Sequence, residues 1–178
     1  MIKNHKGVFK VRVAGVMRKG NKVLLLNEPL INNYWFLPGG RVEMHESTKE
    51  ALARELEEEM CGKPLVGDLQ WVTENFFTLN RIAYHSLEFY YTFTLQGAHP
   101  LLSHDTYHTQ RLEDGVVKQF HFQWFTLDEI ASTDVRPPCL KTILLDPPQD
   151  SPVIRHLSLG SKMSRTGRHS TAGEGKDS

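Results

Sequence analysis

From Arg54 to Glu59 the chain reads Arg-Glu-Leu-Glu-Glu-Glu. On a helix turning about 100° per residue, Glu55, Glu58 and Glu59 share one arc, at i, i+3 and i+4. Like charges at that spacing destabilise a helix by roughly 0.2–0.5 kcal/mol per pair. Glu58 and Glu59 also fall in the predicted last turn, where the helix dipole favours cations. A hard divalent cation would reverse both penalties. Mg²⁺ and Mn²⁺ prefer carboxylate oxygens and keep waters that a phosphate substrate can share. Taken alone, such an arc is more often a solvated acidic face with Arg54 pairing Glu58, so its surroundings must decide.

Those surroundings are legible in part. Ser47 followed by Glu50 forms a capping box. Leu52, Leu56 and Met60 make an apolar arc beside the carboxylates, and Gly62 is the expected helix stop. Ahead of the helix, residues 34–37 are apolar and end at Pro38-Gly39-Gly40, a turn where backbone can approach a ligand closely. Alternation predicts strands at 8–17 and 22–26, joined as a hairpin through Lys19-Gly20-Asn21. Two β-rich runs, 70–79 and 82–95, flank Asn80-Arg81 and predict a long hairpin. Residues 97–118 read as an irregular loop. A strand at 120–125 and short helices at 127–131 and 138–145 complete an α+β pattern. Domain boundaries are expected at 1–150, with 151–178 a disordered tail, because from Ser158 onward only Leu159, Met163 and Ala172 are apolar.

Lys plus Arg and Asp plus Glu both number 21, so the formal net charge is zero. That argues against a general polyanion-binding protein but allows a small anionic substrate whose charge a metal balances. Cys61 and Cys139 have neither disulfide-framework nor zinc-finger spacing, and Cys61 reads as a small apolar filler. No stretch reads as a signal peptide and none reaches the ~18 apolar residues of a membrane helix, so a cytoplasmic setting is the default expectation.

Counted from Gly40, Glu46 follows after five residues, and Arg54-Glu55-Leu56-Glu57-Glu58-Glu59 follows after seven more. This closely resembles the Nudix box, G-x(5)-E-x(7)-R-E-U-x-E-E-x-G-U, with U a bulky aliphatic residue. Cys61 and Gly62 stand where that pattern has glycine and an aliphatic residue, which places the helix stop one residue later. Trp-Phe-Leu-Pro-Gly-Gly at 35–40 and Gln-Trp-Phe-Thr-Leu-Asp-Glu-Ile at 123–130 extend the resemblance over roughly residues 8–145. It implies the Nudix fold, a mixed β-sheet sandwiched between helices. The hairpin at 70–95 looks most like the MutT-like or ADP-ribose pyrophosphatase-like branch. The implied activity is a pyrophosphohydrolase dependent on Mg²⁺ or Mn²⁺, cleaving a nucleoside diphosphate linked to another group X, as in ADP-ribose or a nucleoside triphosphate. By resemblance Glu58 and Glu59 are metal ligands, the Gly40 carbonyl is another candidate, and Glu55 is a ligand or the general base. Arg54 and Glu46 would orient this set. Many relatives are dimers, so a homodimer is compatible with the resemblance.

Some Nudix enzymes use an acid outside the box; Asp105, Glu113, Asp114 and Glu88 are candidates, though each reads more readily as an ordinary surface charge. Aromatics at Phe76, Phe77 and Tyr84 could stack on a base or simply pack. His104 and His108 are four apart, but the neighbouring Gly97 and Pro100 leave no helix to hold them as a zinc pair. The rival class is a Nudix domain that senses a nucleotide without turnover; loss of box glutamates would favour it, and none is lost. RNA 5′-end processing fits poorly with a neutral chain, which argues against nucleic acid.

Overall fold

A computed structural model describes residues 1–113, 115–145 and 155–159. Residue 114 and most of the expected tail lie outside them. Two sheets form the framework. The first is mixed, in the order β1 (Ile2–Asn4), β2 (Gly7–Val16), β6 (Ile82–Gln96), β5 (Lys63–Leu79) and β9 (Arg155–Leu159). The second is antiparallel, in the order β3 (Arg18–Lys19), β4 (Lys22–Asn27), β8 (Val116–Thr126) and β7 (Thr106–Glu113). Helix α1 (Thr48–Met60) packs on one side with Val13, Leu24, Phe93, Phe122 and Trp124. Helices α2 (Leu127–Ser132) and α3 (Cys139–Leu145) pack on the other with Leu25, Trp71, Tyr90 and Phe125. The α+β class and the helix-covered sheet architecture therefore hold, with two sheets in place of one.

Three expectations are corrected. The strand at 22–26 does not form a hairpin with the whole of 8–17: across the Gly20-Asn21 turn it pairs only with the short β3, and the Met17 carbonyl accepts the Leu24 amide. β2 pairs parallel to β6, while β4 pairs with β8. Val23, Leu24, Leu25 and Leu26 are all fully buried, and a strand apolar on both faces belongs inside a sheet covered on both sides. The segment 97–118 is not an irregular loop. After a short 3₁₀ turn at Pro100–Leu102 it becomes β7, whose Thr-Tyr-His-Thr-Gln-Arg-Leu-Glu sequence alternates exposed and half-buried positions. Its polar inward residues hide the period from a reading based on apolar residues. Lastly, the expected tail contains β9, paired to the otherwise open edge of β5. Five extended residues can satisfy a sheet edge through backbone bonds alone, whatever their composition.

The hairpin at Asn80-Arg81 is as expected. Both residues have positive φ, 50° and 63°, which suits a two-residue turn between right-twisted strands. Among the described residues no helix is long and apolar enough to cross a membrane.

Candidate active site

Helix α1 forms as its sequence dictates. The Ser47 hydroxyl accepts the Glu50 amide and the Glu50 carboxylate accepts the Ser47 amide. Leu52, Leu56 and Met60 are fully buried. The helix ends at Met60, but its stop is Cys61 and not the expected Gly62. Cys61 itself takes the left-handed conformation, φ 56° and ψ 32°, and its amide closes on the Glu57 carbonyl. It is exposed rather than a core filler. Gly62 serves a different purpose: a Cβ there would lie 2.9 Å from Cδ2 of His99.

The last carbonyls of α1 are held from outside the helix, as helix ends require. The His99 Nδ1 accepts the Leu101 amide, so Nε2 carries the proton and donates to the Met60 carbonyl at 3.0 Å. The Thr109 hydroxyl on β7 donates to the Glu59 carbonyl at 2.6 Å. These two contacts fix the turn that carries Glu58 and Glu59.

The Gly-rich turn lies along β2. The Gly15 amide donates to the Pro38 carbonyl, the Val13 amide to the Gly40 carbonyl, and the Val42 amide to the Val11 carbonyl. Gly39 has φ 138°, and a Cβ on it would lie 2.3 Å from the Val13 carbonyl oxygen. On the turn's other side its amides meet the box carboxylates. The Gly39 amide donates to Glu59 at 3.1 Å and the Arg41 amide to Glu55 at 3.2 Å. Between them, a Cβ on Gly40 would sit 2.1 Å from the Glu55 carboxyl carbon. The turn is thus flush against two carboxylates, and only glycine leaves room for them.

Each predicted site residue can now be placed. Glu59 is 5% exposed, and burial together with the Glu55 charge holds its carboxyl well above the usual range. Glu55 is largely buried and also meets the Arg54 Nη1 at 3.1 Å. Arg54 grips Glu46 with two bonds, at 2.8 and 3.0 Å, and reaches the Arg41 carbonyl. That grip raises the Arg54 pKa and lowers that of Glu46. Glu46 also accepts the Glu43 amide, so it clamps the loop entering α1. Glu58 is the most open of the three and is paired with Arg111 of β7, with Arg54 at 3.6 Å. The Gly40 carbonyl already accepts one hydrogen bond, leaving it one lone pair.

Residues that sequence reading passed over complete the site. Glu28, at the end of β4, is partly buried and raised by that burial, with Lys118, Arg12, Glu113 and Arg111 electrostatically close. Arg12 on β2 also bears on Glu59. None had a signal, since each is an isolated charge on a strand or strand end. Of the proposed outside acids, Glu113 joins the cluster: Lys118 and Arg111 hold its carboxyl down at about 2. Asp105 pairs with Lys22 at the far end of β4. Glu88 is buried on β6 under the Ser86 and Tyr90 hydroxyls. Asp114 lies outside the described residues. The histidines separate: His99 supports α1, His104 bonds Ser103, and His108 stacks on His121 with ring centroids 4.1 Å apart.

Chemically, this is a set of hard oxygen donors beside cationic side chains. As the side chains stand, no three acid, imidazole or thiol groups among the described residues converge closely enough to hold a metal. The donor set nonetheless fits a hard divalent cation. Glu59 is a buried carboxylate that accepts the Gly39 amide, Glu55 lies one turn away against the same glycine turn, and Glu58 is paired with the guanidinium groups of Arg54 and Arg111.

Several solved structures share this fold. A UDP-X diphosphatase structure superposes with a TM-score of 0.55 at 21% identity, covering 80% of this chain and 63% of its own length. A MutT Nudix hydrolase from Burkholderia pseudomallei gives 0.52 at 20% identity, covering 78% and 96%. A Nudix hydrolase from Nitrosomonas europaea gives 0.52 at 23%, covering 86% and 79%. At these identities the likeness shows the fold. No curated protein matches. The model of the NUDIX domain family matches residues 8–144, most of the chain, with the glutamate helix and its glycine turn inside the match: this protein belongs to the Nudix hydrolase family.

Proposed function

We propose that the chain is a Mg²⁺- or Mn²⁺-dependent pyrophosphohydrolase that cleaves the diphosphate linkage of a nucleoside diphosphate carrying a further group X. The observation that supports this most directly is the buried Glu59 carboxylate, facing a glycine turn with Glu55 and adjoining Glu58. Burying a carboxylate without a counter-charge is costly, and an i, i+4 pair of them is doubly so. When bound, a divalent cation supplies that counter-charge, polarises the phosphate oxygens and acidifies a coordinated water. Glu58, Glu59 and Glu55 would hold it, with the Gly40 carbonyl available as a further donor.

The rest is done by the chain itself. Glu55, braced by the Arg41 amide and Arg54, accepts the proton of the attacking water or adds a ligand oxygen. Arg54 and Glu46 fix its position without touching substrate. Arg12 and Lys118 provide positive charge for the diphosphate beyond the carboxylates. A small-molecule substrate is consistent with a chain of zero formal net charge.

A panel of ADP-ribose, UDP-sugars and nucleoside triphosphates, assayed with Mg²⁺ or Mn²⁺, tests this. Glu58→Gln and Glu59→Gln should each lower kcat at least about 10²-fold on whichever substrate is cleaved. Undiminished turnover in both variants would refute the assignment. Tight binding of one member without turnover by the wild type would point instead to a nucleotide sensor.

A further inference from the structure

Glu58 is tied to an ion-pair chain that leaves the box. Arg111 gives Nη1 to Glu58 and Nη2 to Glu113, the latter at 2.7 Å. Lys118 faces Arg111 across the β7–β8 register and also holds Glu113. Among the described residues the remaining donor nitrogen of Arg111, Nε, is buried with no hydrogen-bond partner. Buried donors are nearly always satisfied, so an unsatisfied one marks a place for an acceptor that the described residues do not provide. A guanidinium presents its donors as a planar fork that matches the paired oxygens of a phosphate.

We propose that Arg111 is a substrate-binding residue with two positions: it holds Glu58 while no cation is bound, and turns its fork onto a phosphate group of the substrate when a cation takes Glu58. The inference rests on reading Glu58 as a metal ligand. A divalent cation on Glu58 cancels the negative charge that attracts Arg111 and adds a like charge within a few ångströms. The pair being displaced is partly exposed, with Glu58 37% and Arg111 26% accessible, so it is weakly held to begin with. The bond to Glu113 remains, and Lys118 anchors Glu113 in turn. Arg111 can therefore pivot about Nη2 without leaving the site. Its freed Nη1 and the unfilled Nε then carry the charge that the diphosphate needs.

The role has a signature that a merely structural residue lacks, because the two ligands respond in opposite directions. Mn²⁺ is titrated calorimetrically into wild type, Arg111→Gln and Arg111→Lys, and imidodiphosphate, a non-hydrolysable diphosphate, is then titrated at saturating Mn²⁺. Arg111→Gln removes the competitor for Glu58, so Mn²⁺ should bind about threefold more tightly. Imidodiphosphate should bind about tenfold more weakly. Arg111→Lys keeps the charge without the fork and should weaken imidodiphosphate by a smaller factor; it carries the test should the glutamine variant not fold. Unchanged or weaker Mn²⁺ binding in Arg111→Gln, or unchanged imidodiphosphate binding in both variants, would overturn the proposal. Failure of the underlying reading looks different: Glu58→Gln would then bind Mn²⁺ as tightly as wild type.

Discussion

Helix α1 and the β7–β8 hairpin make opposite contributions to one site. The helix places three carboxylates within two turns and has no basic residue in its last turn to offset them. The hairpin places Arg111 and Lys118 opposite each other and spends one acid, Glu113, in holding them. Neither is electrostatically balanced alone. The helix obtains its shape from contacts three and four residues apart, so its carboxylates are arranged by local geometry. The hairpin acts through register, since a slip of one residue would turn Arg111 to the other face of the sheet. Ligand chemistry here requires a rigid acidic half and a basic half that can move.

The rigid half can be challenged at Gly40. A Cβ there would meet the Glu55 carboxyl carbon at 2.1 Å and push the carboxylate off the Arg41 amide. We expect Gly40→Ala to lower kcat/KM by about 10²-fold, the scale of a misplacement near 1 Å. The fold should survive, because what must shift is the end of a flexible side chain. Retained activity would mean that the helix carboxylates are not held rigidly at all.

The movable half can be probed with pH. The Glu113 carboxyl is held at about 2, against an ordinary 4.5, by Lys118 and then Arg111. A depressed carboxylate contributes stability that is fully present above about pH 4.5 and is lost as pH falls towards 2. With the side chain a third exposed, that contribution is under about 1 kcal/mol. Urea unfolding of wild type and Glu113→Gln should therefore differ at pH 6 and converge by about pH 2. A gap that persists in acid would assign Glu113 to packing rather than to charge.

An effect of similarly small size is expected at the junction of the two regions. Cys61 occupies a left-handed position that an L side chain adopts at some cost. Cys61→Gly should stabilise the fold by about 0.5–1 kcal/mol in thermal melts, with activity unchanged. A change in activity would show that the helix end is tuned by strain and not merely held by Thr109 and His99.

Much of the acidic half was legible in residue order. The capping box, the apolar arc of Leu52, Leu56 and Met60, and the crowding of Glu55, Glu58 and Glu59 all follow from helical spacing. The turn at Pro38-Gly39-Gly40 was legible as a turn, but the need for glycine in it comes from Val13 on β2 and Glu55 on α1. The hairpin at Asn80-Arg81 was equally plain, because a two-residue turn between alternating runs has a local signature. Less was legible where partners come from afar. β2 and β4 looked like neighbours and joined different sheets, because the burial of β4 on both faces outweighed its proximity to β2. β7 looked irregular because its inward side chains, Tyr107, Thr109 and Arg111, include polar ones whose partners lie on α1.

By itself, then, the sequence determined the carboxylates and their helix, since those depend on contacts within a few residues. Only the tertiary structure decided what meets them. Thr109 and His99 close the helix end, Glu28 and Arg12 arrive from strands that are distant in the chain, and Arg111 reaches Glu58 across 53 positions. An isolated arginine on a polar strand has no periodicity to betray its role. Its meaning comes from the charge it is folded against.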